Sequence, residues 1–380
     1  MTLRILVAPD SFKGSLSSPQ VCQAMETGIR AVVPDATVHC FPMADGGEGT
    51  MEAVVSAWQG RRCAVTVTGP MGLPTPAAFG LSGDGMTAVL DMASASGLTL
   101  VAPAEQRPLL ASSFGTGELL AAALDSGAEH IIMGIGGSAT NDGGAGMLQA
   151  LGYRLLDREG RDIPRGAFGL TQLTRIETHE VHPRLKAVTL AVACDVVNPL
   201  LGMNGASFVF GPQKGAGTEV IPVLEAALAH FASVVEQHLG KVFRHEPGAG
   251  AAGGLGFSLL SLLNARLQSG FDLVASITGF DTAVRTGSYR WLLTGEGQVD
   301  TQSQQGKLLS RIGRLALETK TPVIAFVGAI VGDAHALALP GVDHIFPIVP
   351  GPCSLGVAME QAGAFLTAAV TRVMKLAGLA

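Results

Sequence analysis

The chain has 380 residues, 47% of them hydrophobic and 15% charged, with a formal net charge of −6. This composition allows a sizeable buried core and excludes a disordered polyelectrolyte, and the negative charge argues against nucleic acid as a partner. The five cysteines form no C-x-x-C pair, as is typical of free thiols in a reducing compartment. The N-terminal apolar run is too short for a secretory signal, and the apolar segment 248–265 is too rich in glycine to span a membrane. We therefore expect a cytoplasmic protein with no membrane partner.

Short apolar runs alternate with helical patterns at both ends of the chain. They predict, in chain order, a strand over Leu3–Pro9, a helix capped by Ser18, strands over Ala36–Met43 and Tyr289–Gly295, a helix near Leu308–Thr319, strands over Pro322–Gly328 and Val342–Val349, and a helix over Gly356–Leu376. Strands that alternate with helices indicate a parallel sheet with helices on both faces. The two chain ends thus predict one doubly wound, Rossmann-like or flavodoxin-like domain.

The middle of the chain predicts a second α/β domain with a mixed sheet. Its candidate strands are Met86–Met92, His130–Ile135, Ala187–Asp195 and Ala206–Gly211. We expect residues 1–68 and 288–380 to form the first domain and residues 69–287 to be inserted into it; the alternative is two consecutive domains divided near residue 200. If the first domain has the flavodoxin-like strand order 2-1-3-4-5, ligands bind at the strand ends that carry residues 9–15 and 294–300.

Residues 134–144 read GIGGSATNDGG and follow a predicted strand. Glycines in this position let backbone N–H groups approach an anion closely. The stretch also matches the dinucleotide fingerprint G-x-G-x-x-A at Gly134, Gly136 and Ala139, and Asp157 lies about 20 residues further on, where a ribose-binding acid is expected. Three interpretations stay open here: a site for ATP phosphates, a nicotinamide site of a 2-hydroxyacid oxidoreductase, and a turn that binds nothing.

Further loops at strand ends carry lysines, carboxylates or hydroxyls. Each has a plain structural alternative, such as a solvated lysine, a polar turn or an Asx-turn. Together they favour phosphoryl transfer, which needs backbone donors, Mg²⁺, lysines and a carboxylate base. The chain has neither the G-x-x-x-x-G-K-[ST] loop nor the protein-kinase motif set. The loops are PDSFKGS (9–15), ADGGEGT (44–50), CDVVNP (194–199), GPQKG (211–215) and TGEGQVDTQSQQGK (294–307).

Eight motifs, in order and spacing, resemble the bacterial glycerate kinase type 1 family: APDSFKGSLSS, PMADGGEGT, GPMG, ASSFGTGELL, GIGGSATNDGGAGM, ACDVVNPLLG, GPQKGA and LTGEGQVD…GK. The resemblance spans essentially the whole chain. It implies ATP-dependent phosphorylation of D-glycerate, generally to 2-phosphoglycerate, in glyoxylate-, glucarate- or serine-linked metabolism. It also implies the two-domain fold above, with the site in the cleft between the domains. A glycerate 3-kinase, the oxidoreductase and a non-catalytic acid-binding module remain the alternatives.

Roles for the matched positions follow from the chemistry of each residue. Asp195 is the expected base and Lys13 its catalytic partner; the substrate residues are Asp10, Ser11, Asp45, Glu48, Gly295 and Glu296; the nucleotide residues are Gly136, Gly137, Ser138, Asn141, Asp142 and Lys214; and Asp195 and Asp300 are the expected Mg²⁺ ligands. Gln298 stands where the family often has Arg and Leu309 where it often has Pro, so we also expect Lys13 or Arg311 to bind the substrate carboxylate. The expected ligands are thus D-glycerate, ATP and Mg²⁺, and the protein is expected to be a monomer or a homodimer.

Overall fold

A computed structural model describes residues 3–47, 49–299, 308–332 and 339–376. The strands in this part of the chain are β1 (Arg4–Val7), β2 (Thr37–Cys40), β3 (Arg61–Thr68), β4 (Pro74–Leu81), β5 (Thr87–Asp91), β6 (His130–Gly134), β7 (Arg154–Leu156), β8 (Arg175–Glu177), β9 (Thr189–Ala193), β10 (Arg266–Gln268), β11 (Trp291–Val299), β12 (Val323–Ile330) and β13 (His344–Pro347). The α-helices are α1 (Ser18–Arg30), α2 (Thr50–Trp58), α3 (Ala93–Ser96), α4 (Phe114–Asp125), α5 (Ala145–Ala150), α6 (Ala167–Leu170), α7 (Ala206–Phe210), α8 (Ile221–Leu239), α9 (Ala251–Ser261), α10 (Gly270–Thr278), α11 (Phe280–Thr286), α12 (Leu308–Thr319), α13 (Leu355–Glu360) and α14 (Ala362–Leu376).

The chain divides into two compact units. Unit 1 comprises Met1–Asp45, Glu52–Trp58 and Phe271–Ala380, and unit 2 comprises Gly46–Met51 and Gln59–Gly270. These bounds differ from the expected ones in three places. Residues 46–51, expected in the first domain, lie in unit 2. Residues 61–68 form β3, which pairs antiparallel with β4 from Arg61↔Leu81 to Thr68↔Pro74 and so belongs to unit 2. Residues 271–287, expected in the inserted domain, lie in unit 1.

Unit 1 contains a five-stranded sheet in the order β13-β12-β11-β1-β2, and every neighbouring pair is parallel. Numbered within this unit, that order is 2-1-3-4-5, which confirms the flavodoxin-like topology. One layer of its core joins α1 and α14 to the sheet through side chains that include Met25, Phe326 and Val370. Helix α1 is capped one residue earlier than expected, because Ser17 is extended and its N–H donates to Gln20 Oε1 at 2.8 Å.

Unit 2 contains a six-stranded mixed sheet in the order β10-β9-β6-β5-β4-β3, together with the small antiparallel pair β7–β8. The strands β5, β6, β9 and β10 are parallel, and β3 and β4 form the antiparallel part. This confirms the expected mixed α/β sheet. Helix α9 opens with left-handed backbone at Ala252–Gly254 before it becomes regular.

Residues 206–211 are not a strand, so that prediction is wrong. They form the helix α7, with Ala206 and Ser207 buried and Val209 exposed. A run of six small and apolar residues carries too little periodicity to separate a strand from a buried helical turn. The expected C-terminal helix is also divided at Gln361 into α13 and α14.

The loops that carry the candidate site residues follow the carboxyl ends of the parallel strands. In unit 1, Asp10 follows β1 and Asp45 follows β2, while Glu296 lies within β11. In unit 2, the glycine-rich loop follows β6, and Asp195 follows β9. No helix in the described part of the chain is both long enough and apolar enough to cross a membrane.

Candidate active site

The glycine-rich loop of unit 2 runs from the end of β6 at Gly134 to the start of α5 at Ala145. Gly137 has a left-handed φ of +75°. Its carbonyl accepts the Leu98 N–H at 2.8 Å, and the Ala139 N–H donates to Ser96 O at 2.9 Å. Among the described residues, none accepts a hydrogen bond from the N–H of Gly137 or of Ser138. Two fixed main-chain donors are thus available to an anion.

Asp142 organises this loop from the inside. Its carboxylate is fully buried and accepts hydrogen bonds from Ser113 N at 2.8 Å, Ser113 Oγ at 2.9 Å, Gly144 N at 3.1 Å and Gly146 N at 3.3 Å. Burial raises the pKa of Asp142, and these hydrogen bonds oppose the rise. Since both carboxylate oxygens already accept main-chain donors, Asp142 supports the loop and does not itself face a nucleotide phosphate.

Lys214 lies inside the same loop. Its side chain is buried, and its Nζ donates to Ser138 Oγ at 2.7 Å and to Thr140 O at 2.6 Å. The third ammonium proton has no acceptor among the described residues. Burial lowers the pKa of Lys214 to about 7, and the Asp142 charge opposes this shift. An incoming anion would compensate the buried ammonium.

Two further polar atoms in this loop are buried and have no hydrogen-bond partner in the described part of the chain. Asn141 is fully buried; its Nδ2 donates to Ser207 Oγ at 3.2 Å, while its Oδ1 has no donor among the described residues. Thr140 Oγ1 is also buried and has no hydrogen-bond partner among the described residues. Because buried polar atoms are rarely left unpaired, these atoms indicate that the loop is completed by a ligand or by water.

Glycine is required where segment 46–47 meets this loop. A Cβ at Gly134 would lie 2.7 Å from Gly46 O, and one at Gly136 would lie 2.9 Å from Gly47 Cα. Gly136 N also donates to Gly46 O at 3.5 Å. The two glycine-rich motifs, which are 88 residues apart in the sequence, therefore touch through bare main chain within unit 2.

Asp91, which the sequence analysis missed, fixes that segment. It ends β5, lies opposite Gly134 in the sheet and is 7% exposed. Its Oδ2 accepts the Gly49 N–H at 3.0 Å, and its Oδ1 accepts the Met51 N–H at 3.1 Å. The sequence contained a signal that could have identified Asp91, because it is an acidic residue at the end of a predicted buried strand, as Asp195 is.

Asp195 lies two residues beyond the end of β9 and is exposed. Its Oδ1 accepts the Gly270 N–H at 3.3 Å, which joins the ends of β9 and β10. An exposed carboxylate that one main-chain donor orients can accept a proton from a bound hydroxyl.

Three carboxylates gather in unit 1. Asp10 is half-buried, and its oxygen Oδ1 accepts the Ser11 N–H at 2.6 Å. Burial raises the pKa of Asp10 well above its usual range, and the negative charges of Asp45 and Glu296 raise it further, against the opposing effects of Ser11 N–H and Lys13. Gly295 is buried in β11, and its carbonyl accepts the Asp10 N–H at 2.9 Å. These expected substrate residues are thus close neighbours.

The remaining expected residues are an exposed lysine, an arginine in an ion pair and three residues outside the described part of the chain. Lys13 is exposed in the tight turn between Phe12 and Leu16. Arg311, expected as a substitute carboxylate binder, pairs with Asp272 at 3.1 Å. Glu48, Asp300 and Lys307, the last of which ends the family motif LTGEGQVD…GK, lie outside the described residues. In the part of the chain that the structure describes, no group of three or more His, Cys, Asp or Glu side chains is arranged to hold a metal ion.

The geometry argues against the nicotinamide interpretation. Asp157 lies in the turn after β7, outside the six-stranded sheet, where it accepts the N–H groups of Glu159 at 2.8 Å and Arg161 at 2.9 Å and pairs with the Arg161 side chain. It therefore forms a local turn rather than a ribose site. The loop after β6 also does not open a helix directly, as the dinucleotide fingerprint requires.

Comparison with known proteins gives one consistent result. Residues 5–378 match the model of the glycerate kinase family. A glycerate kinase of Bacillus subtilis is 48% identical over 96% of this chain and 95% of its own length. A glycerate 2-kinase of Escherichia coli is 46% identical over 95% and 94%. The crystal structure of a putative glycerate kinase 2 from Salmonella typhimurium superposes with a TM-score of 0.88 at 43% identity, covering 100% of this chain and 99% of that one.

The Asp91→Asn variant tests the attachment of segment 46–51. Loss of the negative charge weakens two charge-assisted hydrogen bonds, so we expect the free energy of unfolding to fall by about 1–3 kcal/mol. Hydrogen exchange at the Gly49 and Met51 amides should accelerate. Asp343→Asn is the matched control, because Asp343 also accepts a main-chain N–H, that of Val323 at 2.7 Å. Unchanged exchange at Gly49 and Met51 in Asp91→Asn would contradict the assignment.

The buried lysine predicts a pH dependence of stability in the ligand-free protein. Below pH 7 Lys214 is protonated in both the folded and the unfolded chain, while between its folded pKa of about 7 and its unfolded value of about 10.4 only the unfolded chain holds the proton. The free energy of unfolding therefore gains up to about 1.4 kcal/mol per pH unit over that range. Urea unfolding at several pH values should show this rise in the wild type and lose it in Lys214→Met. Equal slopes in the two proteins would mean that Lys214 is not the group responsible.

Proposed function

The chain belongs to the glycerate kinase family, and we propose that it transfers the γ-phosphoryl group of ATP to the 2-hydroxyl of D-glycerate, giving 2-phosphoglycerate and ADP. The observation that carries this proposal is the glycine-rich loop, in which two main-chain N–H groups with no acceptor among the described residues lie beside a buried lysine. The 2-kinase assignment is supported by the glycerate 2-kinase of Escherichia coli, to which this chain is 46% identical.

The nucleotide phosphates are bound by unit 2. The N–H groups of Gly137 and Ser138 donate to phosphate oxygens, and the ammonium of Lys214 supplies a compensating charge. The amide oxygen of Asn141, for which the described residues offer no donor, can accept a hydrogen bond from a hydroxyl, an amino group or water rather than from a phosphate oxygen, and Asp142 holds the loop in shape. Fixed donors of this kind stabilise the charge of the transferred group without having to reorganise during the reaction.

Glycerate is bound by residues of unit 1. The carboxyl groups of Asp10, Asp45 and Glu296 are suited to form hydrogen bonds with its two hydroxyl groups. The exposed ammonium of Lys13 binds the glycerate carboxylate or the transferred phosphoryl group, because an ammonium acts as a compact point charge. Ser11 and Gly295 contribute through the main chain that surrounds Asp10.

Asp195 accepts the proton of the attacking hydroxyl. The Gly270 N–H fixes its Oδ1, so the carboxylate is oriented before substrate arrives. Transfer then moves the hydroxyl proton to Asp195, forms the O–P bond to glycerate and breaks the bond between the γ-phosphorus and the ADP oxygen.

Mg²⁺ neutralises the phosphate charge when it is bound. The ion is usually held by one or two carboxylates, substrate phosphates and water. Asp195 is the described member of the expected ligand pair, and Asp300 is its proposed partner. We also propose that the protein works in the cytoplasm as an enzyme of organic acid metabolism.

The product of the reaction tests the proposed function. Incubation with Mg·ATP and D-glycerate should give a new ³¹P resonance with the coupling pattern of a phosphate on a carbon that bears one proton. A triplet from a carbon with two protons would identify 3-phosphoglycerate and a 3-kinase. No new phosphate ester at all would contradict kinase activity.

The Asp195→Asn variant tests the proposed base. We expect kcat to fall by about 10²–10⁴-fold, with an unchanged midpoint of thermal unfolding because the side chain is exposed. Asp125→Asn is the control, since Asp125 is a 75% exposed aspartate of the same unit. Wild-type turnover in Asp195→Asn would remove Asp195 from the mechanism.

A further inference from the structure

A cavity of about 690 Å³ opens in unit 2 beside the first residues of β9 and β10. The end of α8, the residues after α9 and the segment between β8 and β9 close its other sides. Its volume lies in the range of about 300–1,000 Å³ that is usual for small-molecule sites. No step of the proposed reaction uses it.

The charge around this cavity has one sign. Lys186, His238 and Arg266 line it, and no Asp or Glu does, in a chain with a net charge of −6. Neither Lys186 nor Arg266 forms an ion pair or a side-chain hydrogen bond with any described residue. Two cations that pair with no described carboxylate, placed beside one cavity, favour an anionic ligand.

The walls between these charges are largely apolar. Leu185 and Leu190 are buried, while Val188 and Leu262 are partly exposed on the cavity side. The ring of Tyr153 adds an aromatic surface, and its hydroxyl is occupied by donation to Leu262 O at 3.0 Å. A ligand that fills this volume must therefore carry an apolar body as well as an anionic group.

The cavity is separate from the candidate active site. None of the residues that have a role in the proposed reaction lines the cavity, and the lining residue nearest to them in the sequence is Gln268, two residues before Gly270. The strands β9 and β10 line the cavity, and the residues that follow them, Asp195 and Gly270, form a hydrogen bond with each other. A ligand here would bind against the same strands without touching the reacting groups.

We propose that this cavity binds an amphipathic organic anion, in which a carboxylate, sulfonate or phosphate group is carried on an apolar body. The apolar part packs against the leucine and valine side chains, and the anionic group pairs with Lys186 and Arg266. This inference is independent of the proposed kinase reaction.

The test is a fluorescence titration of the whole protein with 8-anilinonaphthalene-1-sulfonate, an aromatic sulfonate. We expect one binding site per chain, and about tenfold weaker binding by the double variant Lys186→Glu/Arg266→Glu, since each exposed charge contact contributes modestly. Ala191→Trp should weaken binding by filling the cavity without changing its charge. Arg158→Glu is the control, because the Arg158 side chain is 86% exposed and does not line the cavity.

Competition experiments test whether a ligand of the cavity needs both an anionic group and an apolar body. Octanoate should displace the probe, whereas inorganic phosphate at the same concentration should not, because phosphate lacks an apolar body. Mg·ATP should leave the probe bound. Wild-type affinity in the double variant, equal displacement by phosphate, or displacement by Mg·ATP would each overturn the proposal. Circular dichroism of each variant confirms that a loss of binding does not reflect unfolding.

Discussion

The candidate nucleotide site depends on one buried carboxylate. Asp142 accepts four hydrogen bonds from Ser113, Gly144 and Gly146 and so fixes the conformation of the glycine-rich loop. Its charge also opposes the loss of the Lys214 proton, which burial favours. Removal of a buried, hydrogen-bonded charge leaves its donors unsatisfied, so the shape of the loop and the charge state of the lysine both follow from this residue.

The same loop shows why the chain uses so much glycine. Bare main chain at Gly134 and Gly136 allows segment 46–47 to approach within contact distance, and Asp91 then holds the adjoining N–H groups of Gly49 and Met51. The N–H groups of Gly137 and Ser138, which donate to no residue in the described part of the chain, are held in place before any ligand arrives. This is the physical basis on which a loop with almost no bulky side chains can bind a highly charged phosphate group.

Much of the fold could be predicted from the sequence, because periodicity and strand-end chemistry are local signals. Alternating strands and helices predict a parallel, doubly wound sheet in unit 1, and the strand order 2-1-3-4-5, which the sequence analysis gave as a condition, is the one that the structure shows. Helix α7 could not be predicted, since a short run such as residues 206–211 fits a helix or a strand equally well. The β3–β4 hairpin was also not predicted. Asp91 and Asp142 show the limit for the site: an acidic residue in a conspicuous position can be recognised, but whether it faces a ligand or the protein's own amides depends on contacts between distant segments.

The central claim is that the main chain of the glycine-rich loop binds the ATP phosphates, and hydrogen exchange tests it directly. Exchange at the amides of Gly137 and Ser138 should slow when Mg²⁺ and a non-hydrolysable ATP analogue are added, and this protection should be weaker in Lys214→Met. Unchanged exchange at these two amides, with protection by the nucleotide elsewhere in the chain, would contradict the account.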